Sequence, residues 1–141
     1  MHNGTVYDVS LWDTIGHWDG LGRTVQYYNT DVFLVAFSLA DRSTLESVEN
    51  KWWPELEANG GGAPAMLVGT KHDLRSPSIT DAEIQRVKAK FGAREYTEVS
   101  SKRMGDDMTQ VFTNAIKVAV EAKQQREEMQ KQLQRSRCSV S

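Results

Sequence analysis

Six consecutive apolar residues, Val32-Phe33-Leu34-Val35-Ala36-Phe37, constrain this chain more than any other feature. A strand that is apolar on both faces has to lie between two layers of other structure, as the strands of parallel sheets do. Two shorter runs, 65–68 and 96–99, repeat the pattern. Helical periodicity fills the intervals. The segment 43–58 sets Leu45, Val48, Trp52 and Leu56 on one stripe behind a Ser/Thr cap followed by Glu46, and Pro54 is expected to kink its last turns. The segment 80–91 opens Thr80-Asp81-Ala82-Glu83, a capping box, with Ile84, Val87 and Phe91 on one face. A last helix starts near Asp106 and carries Met108, Val111, Phe112, Ala115, Ile116 and Ala119 at core spacing. Strands alternating with helices predict an α/β class with a mostly parallel sheet. The segment 5–11 alternates apolar and polar residues as an edge strand would. From Lys123 the apolar stripe fails, so the division is a domain over 1–122 and a tail over 123–141 that leaves the body or frays.

Composition narrows the function classes. The 17 Lys+Arg against 19 Asp+Glu leave a net charge of -2, which offers no global field to nucleic acid or to an anionic membrane. Such contacts have to be local. Cys138 is the single cysteine, so no internal disulfide forms and a cytoplasmic setting is expected. The 32–37 run is far shorter than the ~20 residues that span a bilayer.

Three short motifs follow predicted strands, at the strand ends where open α/β sheets place their ligands. Trp12-Asp13-Thr14-Ile15-Gly16 follows the 5–11 run: a carboxylate can hold Mg²⁺ through water, and the glycine lets a backbone N–H approach a terminal phosphate. Thr70-Lys71-His72-Asp73 follows the second apolar run. There Asp73 can accept from the N1–H and exocyclic amine of guanine, while the Lys71 stem covers the base. Ser100-Ser101-Lys102 follows the third, with backbone N–H groups for the guanine carbonyl oxygen and Lys102 packing nearby. Each tripeptide or tetrapeptide alone also suits an ordinary turn. Gly60-Gly61-Gly62 lacks the following Lys-Ser/Thr of a phosphate cradle and reads as a flexible loop.

In this order and spacing the motifs resemble the Rho-type small GTPases of the Ras superfamily. The resemblance rests on Leu11-Trp-Asp-Thr-Ile-Gly16, Tyr28-Asn-Thr-Asp-Val-Phe-Leu-Val-Ala-Phe-Ser38, Lys51-Trp-Trp-Pro-Glu55, Leu67-Val-Gly-Thr-Lys-His-Asp-Leu-Arg75 and Glu98-Val-Ser-Ser-Lys102. It implies a three-layer α/β sandwich of the P-loop NTPase type. It implies GTP or GDP as ligand with Mg²⁺, and effector, exchange-factor and GTPase-activating proteins as partners. By the same resemblance Asp13 serves Mg²⁺ and Gly16 the γ-phosphate. Thr70, Lys71 and Asp73 serve the guanine ring, and Ser100, Ser101 and Lys102 its carbonyl side.

Three departures qualify this. The family's Gly-x-x-x-x-Gly-Lys-Ser/Thr loop has no counterpart between Met1 and Ser141, and the chain reads as starting after it. Because that loop holds the β- and γ-phosphates, nucleotide turnover is expected to be impaired in this chain. The missing first strand would lie between the 5–11 and 32–37 strands. His17 stands where the family has the glutamine that orients the attacking water, and is either its catalytic replacement or a solvated loop residue. The helical insertion of Rho proteins is missing between the second and third motifs.

The terminus Cys138-Ser139-Val140-Ser141 fits a prenylation box, with a terminal serine favouring farnesyl. Lys123, Arg126, Lys131, Arg135 and Arg137 supply the second signal that a single lipid needs. The leading expectation is a membrane-attached GTP-dependent switch on the inner face of the plasma membrane or on an internal membrane. The alternatives are a non-catalytic GTPase-like adaptor and an unrelated flavodoxin-like binding domain.

Overall fold

A computed structural model describes residues 1–14, 16, 21–103 and 105–139. Its short first helix α1 (Leu21–Thr24) runs into a 3₁₀ turn, Val25–Tyr27. The sheet follows as β1 (Phe33–Ser38), β2 (Ala65–Thr70) and β3 (Tyr96–Glu98), all parallel, in the spatial order β1-β2-β3. Phe33 pairs with Ala65 and Ser38 with Thr70, while Leu67 pairs with Tyr96 and Gly69 with Glu98. Helices α2 (Arg42–Ser47) and α3 (Trp53–Asn59) make the first crossover, α4 (Asp81–Phe91) the second, and α5 (Asp106–Cys138) closes the domain.

Strand periodicity of two divides the core into two layers. Val35, Phe37 and Leu67 point to one side and bury Leu45, Val48, Trp53, Ile84 and Val87 of the crossover helices. Met66, Val68 and Val99 point to the other and meet Val111 and Ala115 of α5. The result is the expected helix–sheet–helix sandwich, and it explains why the strand runs are apolar throughout.

The ends of the helices depend on particular side chains. Asp41, rather than a serine or threonine, caps α2 by accepting from Ser43 N at 2.9 Å. Pro54 acts as expected, with a specific geometry. Having no N–H to donate, it forces a π turn over Val48–Trp52, in which Trp53 N–H reaches back five residues to Val48 O. At α4 half of the capping box forms: Thr80 Oγ1 accepts from Glu83 N, but the Glu83 carboxylate goes to Arg42 instead. Gly92, at φ 68°, ends α4, and Ala93 N–H returns to Lys88 O at 3.0 Å.

One expectation needs correction. The 5–11 segment is not a strand: beyond an isolated bridge between His2 and Thr5 it has no ladder, and Val6, Leu11 and Trp12 are 74%, 68% and 76% exposed. Its N–H and C=O groups have no neighbouring strand, and alternation alone cannot supply one. The outer edge of β1 is likewise unpaired among the described residues, and Ala36 on it is exposed. Of the two courses expected for the tail, the structure shows the first: α5 continues as exposed helix through Cys138.

Candidate functional site

Two loops meet at the C-terminal rim of β2 and β3. After Thr70 the chain turns at Lys71, in the left-handed region at φ 55°, and enters a 3₁₀ turn, His72–Leu74. After β3 it passes Val99 and the fully buried Ser100. Backbone bonds hold the loops together: Val99 N donates to Gly69 O at 2.8 Å and His72 N to Val99 O at 3.3 Å.

This arrangement brings Asp73 to Ser100. Ser100 Oγ donates to Asp73 Oδ1 at 2.6 Å, and Lys102 Nζ lies 3.9 Å from Oδ2. The serine bond, with a smaller contribution from Lys102, holds the Asp73 carboxyl below the usual carboxylate range. An ionised carboxylate has about four acceptor positions, so both oxygens keep lone pairs for further donors. Lys71, Ser101 and Lys102 are exposed around it. The Thr70 hydroxyl instead donates to Phe37 O at 3.1 Å, and Thr70 O accepts from Leu39 N.

Behind Asp73 lies a cluster of charged residues that the motifs did not reveal. Glu98 Oε1 accepts from Arg75 Nη1 at 2.9 Å and from Tyr96 Oη at 2.8 Å, and Oε2 lies 2.5 Å from His72 Nδ1. Gly69 makes room for it, because a Cβ there would stand 2.7 Å from Tyr96 Oη and 3.1 Å from Leu39 Cδ1. Burial, and then the bond to Glu98, push the Tyr96 phenol well above its ordinary range.

Asp13 and Gly16 lie on the exposed N-terminal stretch, and among the described residues no hydrogen bond or ion pair holds the Asp13 carboxylate. Gly16 O is 3.5 Å from Arg23 Nη1. Arg23 is itself 3% exposed: Nε and Nη2 grip Glu55 Oε1 and Oε2 at 2.6 and 2.5 Å, and its guanidinium stands 5.1 Å from the Trp52 ring centroid. Tyr27 Oη donates to the same carboxylate. The Arg23 bond is the main cause that holds the Glu55 carboxyl below its usual range. His17 lies outside the described residues. Among those described, no group of three or more His, Cys, Asp or Glu is placed to hold a metal ion.

The family model described as Ras family matches residues 1–121. The chain belongs to the Ras family. Small GTPases of this family typically bind GTP and GDP with Mg²⁺ and work through regulator and effector proteins. The match ends one residue before Ala122, the last buried residue of α5, after which the 123–141 tail begins. Sequence reading named Asp73, Ser100 and Lys102, which the structure gathers at one rim. It missed the roles of Glu98, Arg75 and His72, and of Arg23 with Glu55. His72, Arg75, Glu98 and Glu55 all stood inside the runs quoted above, but nothing in adjacent residues says which of them meet in space.

Proposed function

We propose that the chain is a Rho-like member of the Ras family that reads guanine through Asp73 and Lys71 on one loop and Ser101 and Lys102 on the other. The observation that carries this reading is the Asp73 carboxylate, kept ionised by Ser100 across two loops while both its oxygens keep acceptor capacity. The Rho branch is supported by Lys51-Trp-Trp-Pro-Glu55, whose glutamate grips Arg23 and so ties helix α3 to the segment after Gly16. In this reading Mg²⁺ rests on the nucleotide phosphates and on water, with Asp13 as the protein carboxylate, as Mg²⁺ sites commonly do. His17 faces the attacking water during GTP hydrolysis. Effector, exchange-factor and GTPase-activating proteins bind the exposed face around Asp13, Val25 and Tyr28. Farnesyl on Cys138, together with the basic tail, attaches the protein to the cytoplasmic face of a membrane; Cys138 is exposed at the last turn of α5.

The test uses protein with a Gly-x-x-x-x-Gly-Lys-Ser/Thr strand and loop joined ahead of Met1. Asp73→Asn should weaken GDP and strengthen the xanthosine analogue, because the amide can donate to the extra carbonyl of xanthine. Equal loss for both bases would remove the role of Asp73.

A further inference from the structure

We propose that Glu98 is a positioning residue for base reading, a single carboxylate that clamps the Lys71–Asp73 loop to the Ser100–Lys102 loop; this rests on the guanine-reading function above. The two loops leave different strands, so nothing in the chain between them fixes their separation. Glu98 stands at the end of β3, directly before Val99 and Ser100, and is therefore rigid with the second loop. Its two oxygens reach the first loop from both sides of Asp73. Oε1 takes Arg75, two residues after it, and Oε2 takes His72, one residue before it.

The carboxylate is only 23% exposed, and Oε2 lies 2.5 Å from the buried His72 Nδ1, which has no hydrogen-bond partner among the described residues. Arg75 is held in turn by Asp81 Oδ1 at 2.5 Å and by Ile79 O, so the clamp continues into the first turn of α4. Tyr96 Oη, seated where Gly69 has no side chain, fills the remaining side of Oε1. The two groups bonded to Oε1, Arg75 and Tyr96, are both donors. The Ser100–Asp73 bond, which crosses the same gap at the rim, is then formed between parts already held in register.

The full chain, labelled with ¹⁵N, tests this by amide hydrogen exchange, with GDP titrated into the same samples. Glu98→Gln should speed exchange of the His72 and Val99 amides at least about tenfold, the effect of losing a bond to a charged group, while the β1–β2 amides keep their protection. His72→Gln keeps a polar group beside Oε2 and should exchange like the parent; His72→Leu should follow Glu98→Gln. If Glu98→Gln also strips protection from β1 and β2, Arg75→Gln reads the same amides with the carboxylate still on Tyr96. Unchanged exchange at His72 and Val99 in the variant that folds overturns the clamp, and so does a parent chain in which those two amides exchange as freely as the exposed tail. GDP that shifts the Lys71, Asp73 and Ser101 resonances in the parent, and does so more weakly in Glu98→Gln, supports the link to base reading. GDP that moves none of them counts against the guanine-reading function, while exchange still decides the clamp.

Discussion

Glu55→Ala tests how firmly the N-terminal stretch is tied to the body. Arg23 is 3% exposed and its guanidinium makes two charge-assisted bonds to Glu55, so deleting the carboxylate takes both bonds from a buried positive charge. Breaking a fully buried pair costs about 3–5 kcal/mol, whereas an exposed pair is worth about 0–1 kcal/mol. Glu55 retains 17% exposure, which admits some water, and the expected loss is therefore about 2–3 kcal/mol. With a urea m-value of about 1–3 kcal/mol/M, the midpoint should fall by roughly 1–2 M.

The same reasoning predicts that Arg23→Met combined with Glu55→Leu recovers much of that loss, since an apolar pair of similar volume removes both charges. Urea unfolding of the parent, the two single variants and the double variant closes the cycle. Strict additivity of the singles would refute the argument, because it would mean that Arg23 does not depend on Glu55. The pH dependence provides a second reading. Glu55 has a depressed carboxyl pKa, so the stability it contributes is present above about pH 4.3 and is lost as pH falls through its folded value. Tyr27, whose phenol burial and the Glu55 bond push up to about 12, acts at the other end. Its contribution is complete below about pH 10 and disappears as pH rises toward 12. The double variant should flatten the acid limb.

Three further outcomes are expected. Gly69→Ala should destabilise the domain by about 1–3 kcal/mol by driving a Cβ to within 2.7 Å of Tyr96 Oη, and Tyr96→Phe should relieve part of this in thermal melts. Cys138→Ser should move the protein from the membrane to the soluble fraction in cells with farnesyltransferase, with partial release when the basic tail residues are neutralised. In the form carrying a phosphate loop, His17→Gln should speed single-turnover phosphate release, because an amide pairs a donor with an acceptor where a ring does not.

Elements with a local cause were legible in the sequence. Thr80 announces α4, and the doubly apolar runs announce β1 and β2, because capping and two-sided burial are written in adjacent residues. The 5–11 alternation misled, since a strand exists only through its neighbour. The sequence leaves the helix after Lys123 open between leaving the body and fraying; Gln, Glu, Lys and Arg are good helix formers even without a core, and Glu127 and Lys131 are spaced to support the turn between them. Asp73, Ser100 and Lys102 were readable as motif members. The Glu98 clamp was not, because it depends on the register that sets Gly69 opposite Glu98.

These observations divide the candidate site into two mechanically different halves. The base half stands on the rim of β2 and β3, where the strands are paired and the Ser100–Asp73 bond and Glu98 cross between loops. Its geometry is inherited from the sheet. The phosphate half, Asp13 and Gly16, lies on an exposed stretch without a ladder, and its described attachment to the body is the Arg23 contact with Gly16 O. A carboxylate that has to hold an ion through water needs its backbone fixed to within about half an ångström, which an unpaired segment does not provide. β1, however, presents an edge that is unpaired among the described residues, with Leu34 half-buried and Ala36 exposed on that strand. A strand paired there would cover those residues and give the phosphate half the rigidity that the base half already has. In the proposed reading, base and phosphate recognition therefore rest on separate supports, and the residues assigned to the base lie within 65–103.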